Sequence, residues 1–168
     1  VRQKQYSITE IVKEKGGELP LLLILDQIQD PGNLGTIVRT AEGAGVTGIV
    51  MSQDCVDMYN PKVVRSTMGA AYRVPFCYVD DLAGEVKQMK EAGICTYAAH
   101  LEGKNSYDEE DYRKASAFLI GNEGNGLRDE VADQAQVYIR IPMKGQVESL
   151  NAAVATAILT FEAARQRR

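Results

Sequence analysis

The segment from Val137 to Ala157, VYIRIPMKGQVESLNAAVATA, decides how this chain is organised. Val137 to Ile141 is a short run of β type, Pro142 stops it, a loop containing Gly145 follows, and an apolar helix restarts at Ser149 and runs to about Arg165. The predicted order is strand, loop, helix. Leu150, Ala153, Val154, Ala157, Ile158 and Phe161 recur at the spacing of one helix face. Ala152 and Ala155 make other faces apolar too, which predicts a helix that enters the interior rather than lying on it. Ser149 and Asn151 fall in its first turn, where Ser149 is a good N-cap because its oxygen accepts from free backbone N–H groups. Capping alone accounts for a serine there.

Working outward from this segment, strands and helices alternate. Val1 to Glu18 is a polar lead-in or interdomain linker with little to bury, with Ser7 or Thr9 as caps and Gly16-Gly17 as a stop. Leu19 to Leu25 is a continuous apolar run, the pattern of a parallel strand covered on both faces. The loop DQIQDPGNLG follows, and TIVRTAEGAG is a short helix closed by glycine. Gly48 to Ser52, Val74 to Val79, Ile94 to Ala99 and Ala117 to Gly121 are further strands. Asn60-Pro61 caps a helix from Lys62 to about Gly69, Asp80 to Ala92 is amphipathic, and Arg128 to Gln134 is a short helix. Glu102 to Asp111 is an exposed acidic loop. This alternation predicts an α/β fold, a mostly parallel sheet with helices on both faces, as one domain over 19–168.

Composition narrows the function classes. The 168 residues are 45% hydrophobic, no apolar run approaches the roughly 20 residues of a membrane span, and the polar start is not a signal peptide. A cytoplasmic setting without a membrane partner is expected. Cys55, Cys77 and Cys95 are odd in number, widely spaced and free of CxxC, so neither a disulfide framework nor a metal site is indicated. A net charge of −4 is wrong for a surface that grips nucleic acid everywhere, so any polyanion site is local. Basic residues cluster at Arg2 to Lys15, Lys62 to Arg73 and Arg165 to Arg168, although such clusters are more often solvated faces.

Ligands of parallel sheets bind at the carboxyl ends of strands. The loops Asp26 to Gly35, Gly121 to Gly126 and Pro142 to Glu148 all follow strands and can converge on one site. GNEGNG lacks the GxGxxG spacing and lies late in the chain, and the first strand leads into DQIQDPGNLG, so a dehydrogenase reading is weak. Taken singly, Glu123 and Arg39 are ordinary surface charges. His100, the only histidine, is a poor candidate for a general base without shown reach to a substrate.

Together, LDQIQDPGNLGTIVRTAEGAG, FLIGNEGNGL and IRIPMKGQVESLNAAVATAI resemble the three ordered motifs of the SpoU/TrmH branch of the SPOUT RNA methyltransferases, a likeness covering Leu21 to Arg167. The resemblance implies a C-terminal deep trefoil knot and a catalytic domain that transfers a methyl group from S-adenosylmethionine to a ribose 2′-hydroxyl of RNA. It places cofactor contacts at Gly121, Ile141, Met143 and Leu150 and polar active-site positions at Asn33, Arg39, Glu123, Ser149 and Asn151. Arg39 takes the most direct role, as a base or as a bidentate phosphate clamp; arginine normally stays protonated, which favours the clamp. RSTMGAAYRVPF looks more like ribosomal-RNA members than transfer-RNA members. The family also implies a homodimer through the knot region and, in many members, a preceding RNA-binding domain. A transfer-RNA substrate, or a non-catalytic module binding cofactor or RNA, remains the alternative.

Overall fold

The computed structural model describes residues 5–13 and 15–168. Arg2 and Lys4 of the first basic cluster lie outside the described residues, as does Glu14. The elements run α1 (Ile8–Ile11), β1 (Leu21–Leu25), α2 (Pro31–Ala44), β2 (Gly48–Ser52), α3 (Pro61–Thr67), β3 (Phe76–Val79), α4 (Leu82–Glu91), β4 (Cys95–Ala99), β5 (Asn105–Ser106), β6 (Ser116–Ile120), α5 (Asp129–Ala132), β7 (Val137–Arg140) and α6 (Ala152–Gln166). Single 3-10 turns cover Ala70–Tyr72 and Tyr107–Glu109. The seven strands form one parallel sheet in the order β3-β2-β1-β6-β4-β7-β5.

The apolar runs explain that order. Every residue of β1, β2 and β6 is buried. Because side chains alternate across a strand, Leu21, Leu23 and Leu25 face one layer and Leu22 and Ile24 the other. The first layer is closed by Leu34, Ile37 and Val38 of α2 and Leu159 of α6; the second by Ile11 of α1, Val86 and Met89 of α4 and Val131 of α5. Each fully buried Leu or Ile contributes about 1.5–3 kcal/mol, so β1 alone anchors both layers. Helices cover both faces, as expected.

Four local readings change. The lead-in does bury something: Ser7 caps α1, and Ile11 is wholly buried against Gly48 of β2. α2 begins at Pro31, not Thr36, because Asp30 accepts from the Asn33 N–H at 3.0 Å and proline suits the first helical position. Asn33 is therefore helical rather than in a loop. α6 begins at Ala152; its cap is Asn151, which accepts from Ala153 and Val154, while Ser149 stays in the exposed loop before it. The buried face of α6 carries Ala152, Ala153, Thr156, Leu159, Thr160 and Ala163, and the expected apolar stripe leaves Val154 and Phe161 exposed. Thr156 and Thr160 can be interior because their hydroxyls donate to the carbonyls of Ala152 and Thr156.

The acidic loop departs from expectation as well. Glu102, Asp108, Glu109 and Asp111 are exposed, but the loop holds edge strand β5 and leads to the wholly buried Tyr112. β4 and β5 are consecutive in the chain, yet β7 lies between them. Residues 100–104 thus cross the end of β7 at close range: His100 N donates to Ile139 O at 2.9 Å, and Arg140 Nη1 donates to the carbonyls of Gly103 and Lys104. A Cβ at Gly103 would meet the Ile139 carbonyl carbon at 2.5 Å, so this crossing requires glycine. The basic tail is an internal pin. Arg167 donates to the carbonyls of Leu19, Pro20, Tyr112 and Lys114, and Arg165 pairs with Glu162.

Candidate active site

Strands β1 and β6 are adjacent, and from them the chain runs outward in opposite directions to the two edges of the sheet. Such a switch point opens a crevice at the carboxyl ends of the strands. The loops after β1 and β6 are tied across it. Asp26, wholly buried, accepts from the Arg128 N–H at 2.8 Å and from its guanidinium at Nε and Nη2. That carboxylate holds the Arg128 guanidinium above its ordinary pKa. Asn122 Nδ2 donates to Gln27 O at 2.6 Å, and Gln27 takes a left-handed backbone (φ 58), uncommon for a residue other than glycine. Ser52 Oγ, accepting from Gln27 N, helps hold it there.

A cleft of about 780 Å³ opens beside these ties, walled by the ends of β4, β6 and β7 and the start of α6. Gly121, Ile141, Met143 and Leu150, the four expected cofactor contacts, all line it, as do Glu123 and Ser149. A Cβ at Gly121 would meet Leu127 N at 2.1 Å, so the turn after β6 closes only on glycine. Ile120, Ile139 and Leu159 supply the apolar floor, and the 121–126 loop presents main-chain groups at the rim.

The polar positions divide. Asn151 Nδ2 donates to Asn33 Oδ1 at 3.0 Å, and Asn33 Nδ2 donates to Glu123 Oε1 at 3.4 Å. Glu123 also accepts from the N–H groups of Asp30 (3.1 Å) and Gln29 (3.4 Å). Three motifs thus meet in one bonded set. Ser149 lines the cleft without joining that set. Arg39 is apart from both: six residues beyond Asn33 it lies about 240° around the helix, exposed and without a side-chain partner among the described residues.

One pair escaped sequence reading. Arg128 and Asp26 become visible only when the fold joins positions 102 residues apart; the one hint was a carboxylate directly after a buried apolar strand. His100 lines the cleft, its ring stacked on Tyr138 at 4.8 Å, and its Nδ1 accepts from the Glu102 N–H. Among the described residues no group of three or more His, Cys, Asp or Glu side chains is placed to hold a metal.

Fold and site define an α/β protein with a ligand cleft of apolar floor and polar rim beside a sheet switch point, edged by a glycine-rich loop and a carboxylate–amide set. The profile of the SpoU rRNA Methylase family matches residues 20–161, and the chain belongs to that family. The 23S rRNA (guanosine-2′-O-)-methyltransferase RlmB of Xylella fastidiosa is 37% identical over 98% of this chain and 66% of its own length. The SpoU methyltransferase AviRb of Streptomyces viridochromogenes, solved with the cofactor AdoMet, superposes with a TM-score of 0.87 at 30% identity over 98% of this chain and 66% of that one. An AdoMet-bound rRNA methyltransferase of Sinorhizobium meliloti gives 0.87 at 36% identity over 97% of this chain and 61% of that one. The chain spans just under two thirds of these relatives' length. Among the described residues no helix is long and apolar enough to cross a membrane.

Proposed function

We propose that the chain transfers a methyl group from S-adenosylmethionine to a ribose 2′-hydroxyl of RNA, with ribosomal RNA as the substrate. The observation that carries this reading is the meeting of three separate motif loops at one cleft: Gly121, Ile141, Met143 and Leu150 on its wall, with Glu123, Asn33 and Asn151 bonded beside it. The ribosomal assignment is supported by RlmB of Xylella fastidiosa, whose name specifies 23S rRNA.

The residues present fit the cofactor. A cleft of about 780 Å³ lies within the few hundred to 1,000 Å³ usual for cofactor sites, and it joins apolar side chains (Ile120, Ile139, Ile141, Met143, Leu150, Leu159) to the polar 121–126 loop. Ile141, Met143 and Leu150 would enclose an adenosine and the Gly121 to Gly126 backbone would hydrogen-bond its edges. When bound, the cofactor supplies a methyl group on a positively charged sulfur. A 2′-hydroxyl is a weak nucleophile: it must be placed in line with the methyl group, have its developing negative charge stabilised and give up its proton, here to solvent, as it is methylated. Arg39, exposed and unpaired among the described residues, grips the adjacent phosphate with its two-pronged donor. Glu123 already accepts from two backbone N–H groups and one amide, so it acts by fixing the loop after β1. Asn33 and Asn151 hold the starts of α2 and α6 in register. Ser149 lies on the cleft wall, where a ribose hydroxyl would bond to it.

The same reading extends to assembly. The crossing of residues 100–104 over the end of β7, just before the chain leaves β7 for α6, supports a threaded C-terminal knot. Exposed Val154 and Phe161 on α6 support a homodimer through that region. Residues 19–168 form the catalytic domain, and α1 of the lead-in packs on its sheet through Ile11. Calorimetry with S-adenosylmethionine, S-adenosylhomocysteine, NAD and ATP tests the core of the proposal. Binding of the first two alone is expected; tight NAD binding without a response to S-adenosylhomocysteine would end it.

A further inference from the structure

Residues 62–79 carry three cations and no carboxylate, in a chain with 23 acidic residues. Two large side chains there are turned to water. Met68 is 68% exposed and Tyr72 61% exposed, at the end of α3 and in the following 3-10 turn. Met68 has a left-handed backbone (φ 51), uncommon for a residue with a side chain. Nothing in the core needs either side chain.

The packing of α2 places Arg39 beside them. Gly35 lies against Ser66 of α3, and Glu42 pairs through both carboxylate oxygens with Arg73, whose guanidinium lies over Gly69. Arg39 is four residues after Gly35 and three before Glu42, hence on the same helix face, between those two contacts. It therefore adjoins the junction of α3 and the 3-10 turn. Arg73 is held by Glu42, whereas Arg39, Lys62 and Arg65 are exposed and their side chains have no partner among the described residues.

We propose that Tyr72 and Met68, flanked by Arg39, Lys62 and Arg65, form a seat for an unpaired RNA nucleotide neighbouring the one that is methylated. Its base stacks on the Tyr72 ring and its phosphates lie on the cations. The proposal rests on the RNA methyltransferase reading above and adds to it where the flanking strand runs. An exposed ring among cations is an arrangement that binds single strands, because every base has a face to stack and every nucleotide a charge to pair. A second copy of the chain suits the seat less well: cations around one ring offer little apolar area, and the exposed Val154 and Phe161 of α6 supply that elsewhere.

The chain contains no tryptophan, so Tyr72→Trp introduces a single reporter. Titrated at low salt with a short single-stranded oligoadenylate, its emission should be quenched to saturation. By filter binding, Tyr72→Ala should weaken the same oligonucleotide about tenfold without changing the salt slope, and Tyr72→Phe, which keeps the ring, should stay within about twofold of wild type. Arg65→Gln should lower the salt slope by about one ion. Absence of quenching, or wild-type affinity in Tyr72→Ala, overturns the proposal. So does a change of mass in light scattering on Tyr72→Ala, which assigns the ring to a second copy. Calorimetry with S-adenosylmethionine separates the two readings. No cofactor binding by wild type defeats the methyltransferase reading and leaves the quenching result to stand for an RNA surface; normal cofactor binding without quenching defeats the seat alone.

Discussion

The side-chain amide of Asn151 donates to the side-chain carbonyl of Asn33 at 3.0 Å, joining the cap of α6 to the first turn of α2 across 118 residues of chain. The same Asn151 accepts from two backbone N–H groups of α6 through its oxygen, so one side chain serves both helices. These two roles separate by substitution. Asn151→Ser retains a good cap and loses the link; Asn151→Ala loses both. Asn151→Ala should cost about 1 kcal/mol, or about 2–4 °C in Tm for a chain of this size, and Asn151→Ser under half of that. Methyl transfer should fall about tenfold or more in both, since misplaced reacting groups are costly. Wild-type turnover in Asn151→Ser would reduce the link to decoration.

Arg39 is the expected catalytic position that the structure leaves apart from both the cleft and the Asn151–Asn33–Glu123 set, and its exposure suits a group that meets the substrate rather than the cofactor. Arg39→Lys keeps the charge and loses the fork that can hold a phosphate by two parallel bonds. Turnover should drop by about 100-fold, the order expected when a positioned charge is misplaced, while calorimetric affinity for S-adenosylmethionine stays within about twofold. Full turnover in the variant would make Arg39 a surface residue.

Much of this arrangement was legible because local rules and global packing agree. The run LLLIL, with every residue apolar, reads as a strand covered on both sides, and it lies inside the sheet between β2 and β6. Gly121, Ile141, Met143 and Leu150 were placed by motif likeness and do share a cleft. The errors came where two local signals compete. Ser149 and Asn151 are both good caps, and α6 took the second. Asp30-Pro31 is as strong a start signal as Asn60-Pro61, but Gly32 and Gly35 obscured the helix that follows. The α6 stripe misled because Thr156 and Thr160, polar by type, are interior once their hydroxyls bond within the helix, leaving Val154 and Phe161 outside. Asp26 and Arg128 meet only through tertiary structure.

That pair is the next test. Asp26 is fully buried and Arg128 is 36% exposed, so removing the guanidinium strands a carboxylate in the interior while solvent screens part of the loss. Arg128→Met should destabilise by about 3 kcal/mol, the lower end for breaking a buried pair, and the double variant with Asp26→Asn should recover part of it. Urea midpoints at neutral pH measure both. A loss under about 1 kcal/mol would mean that the Arg128 backbone N–H, which also bonds Asp26, suffices.

Alkaline stability should report on Cys77. Burial, with Glu85 nearby, pushes its thiol up to about 11, whereas an unfolded thiol titrates near 8.5. A folded-state pKa above the unfolded one gives stability that is fully present below about pH 8.5 and is lost as pH rises through about 11. Between pH 8 and 11 the urea midpoint of wild type should therefore fall more steeply than that of Cys77→Ala. Tyr78, raised by burial to about 12, contributes in both proteins and cancels from the comparison. Parallel profiles would show that the thiol stays neutral or finds solvent when ionised.

The proposed dimer is tested on α6. Its inner face is complete, with Ala153, Leu159 and Ala163 in the core, yet Val154 and Phe161 remain 48% and 50% exposed on the other side. Phe161 sits beside Gly43 of α2, so the two helices present one continuous surface. Large apolar side chains grouped on a helix pair mark a contact with another molecule, and a surface that meets its own copy about a two-fold axis needs no second partner. Light scattering should give about twice the 18.4 kDa chain mass at micromolar concentration. Phe161→Glu should yield the monomer, with the same secondary structure and a lower melting temperature, because a carboxylate cannot be buried there unpaired. A wild-type mass that stays at one chain across that range, or a Phe161→Glu protein that remains dimeric, would place the subunit contact elsewhere or remove it.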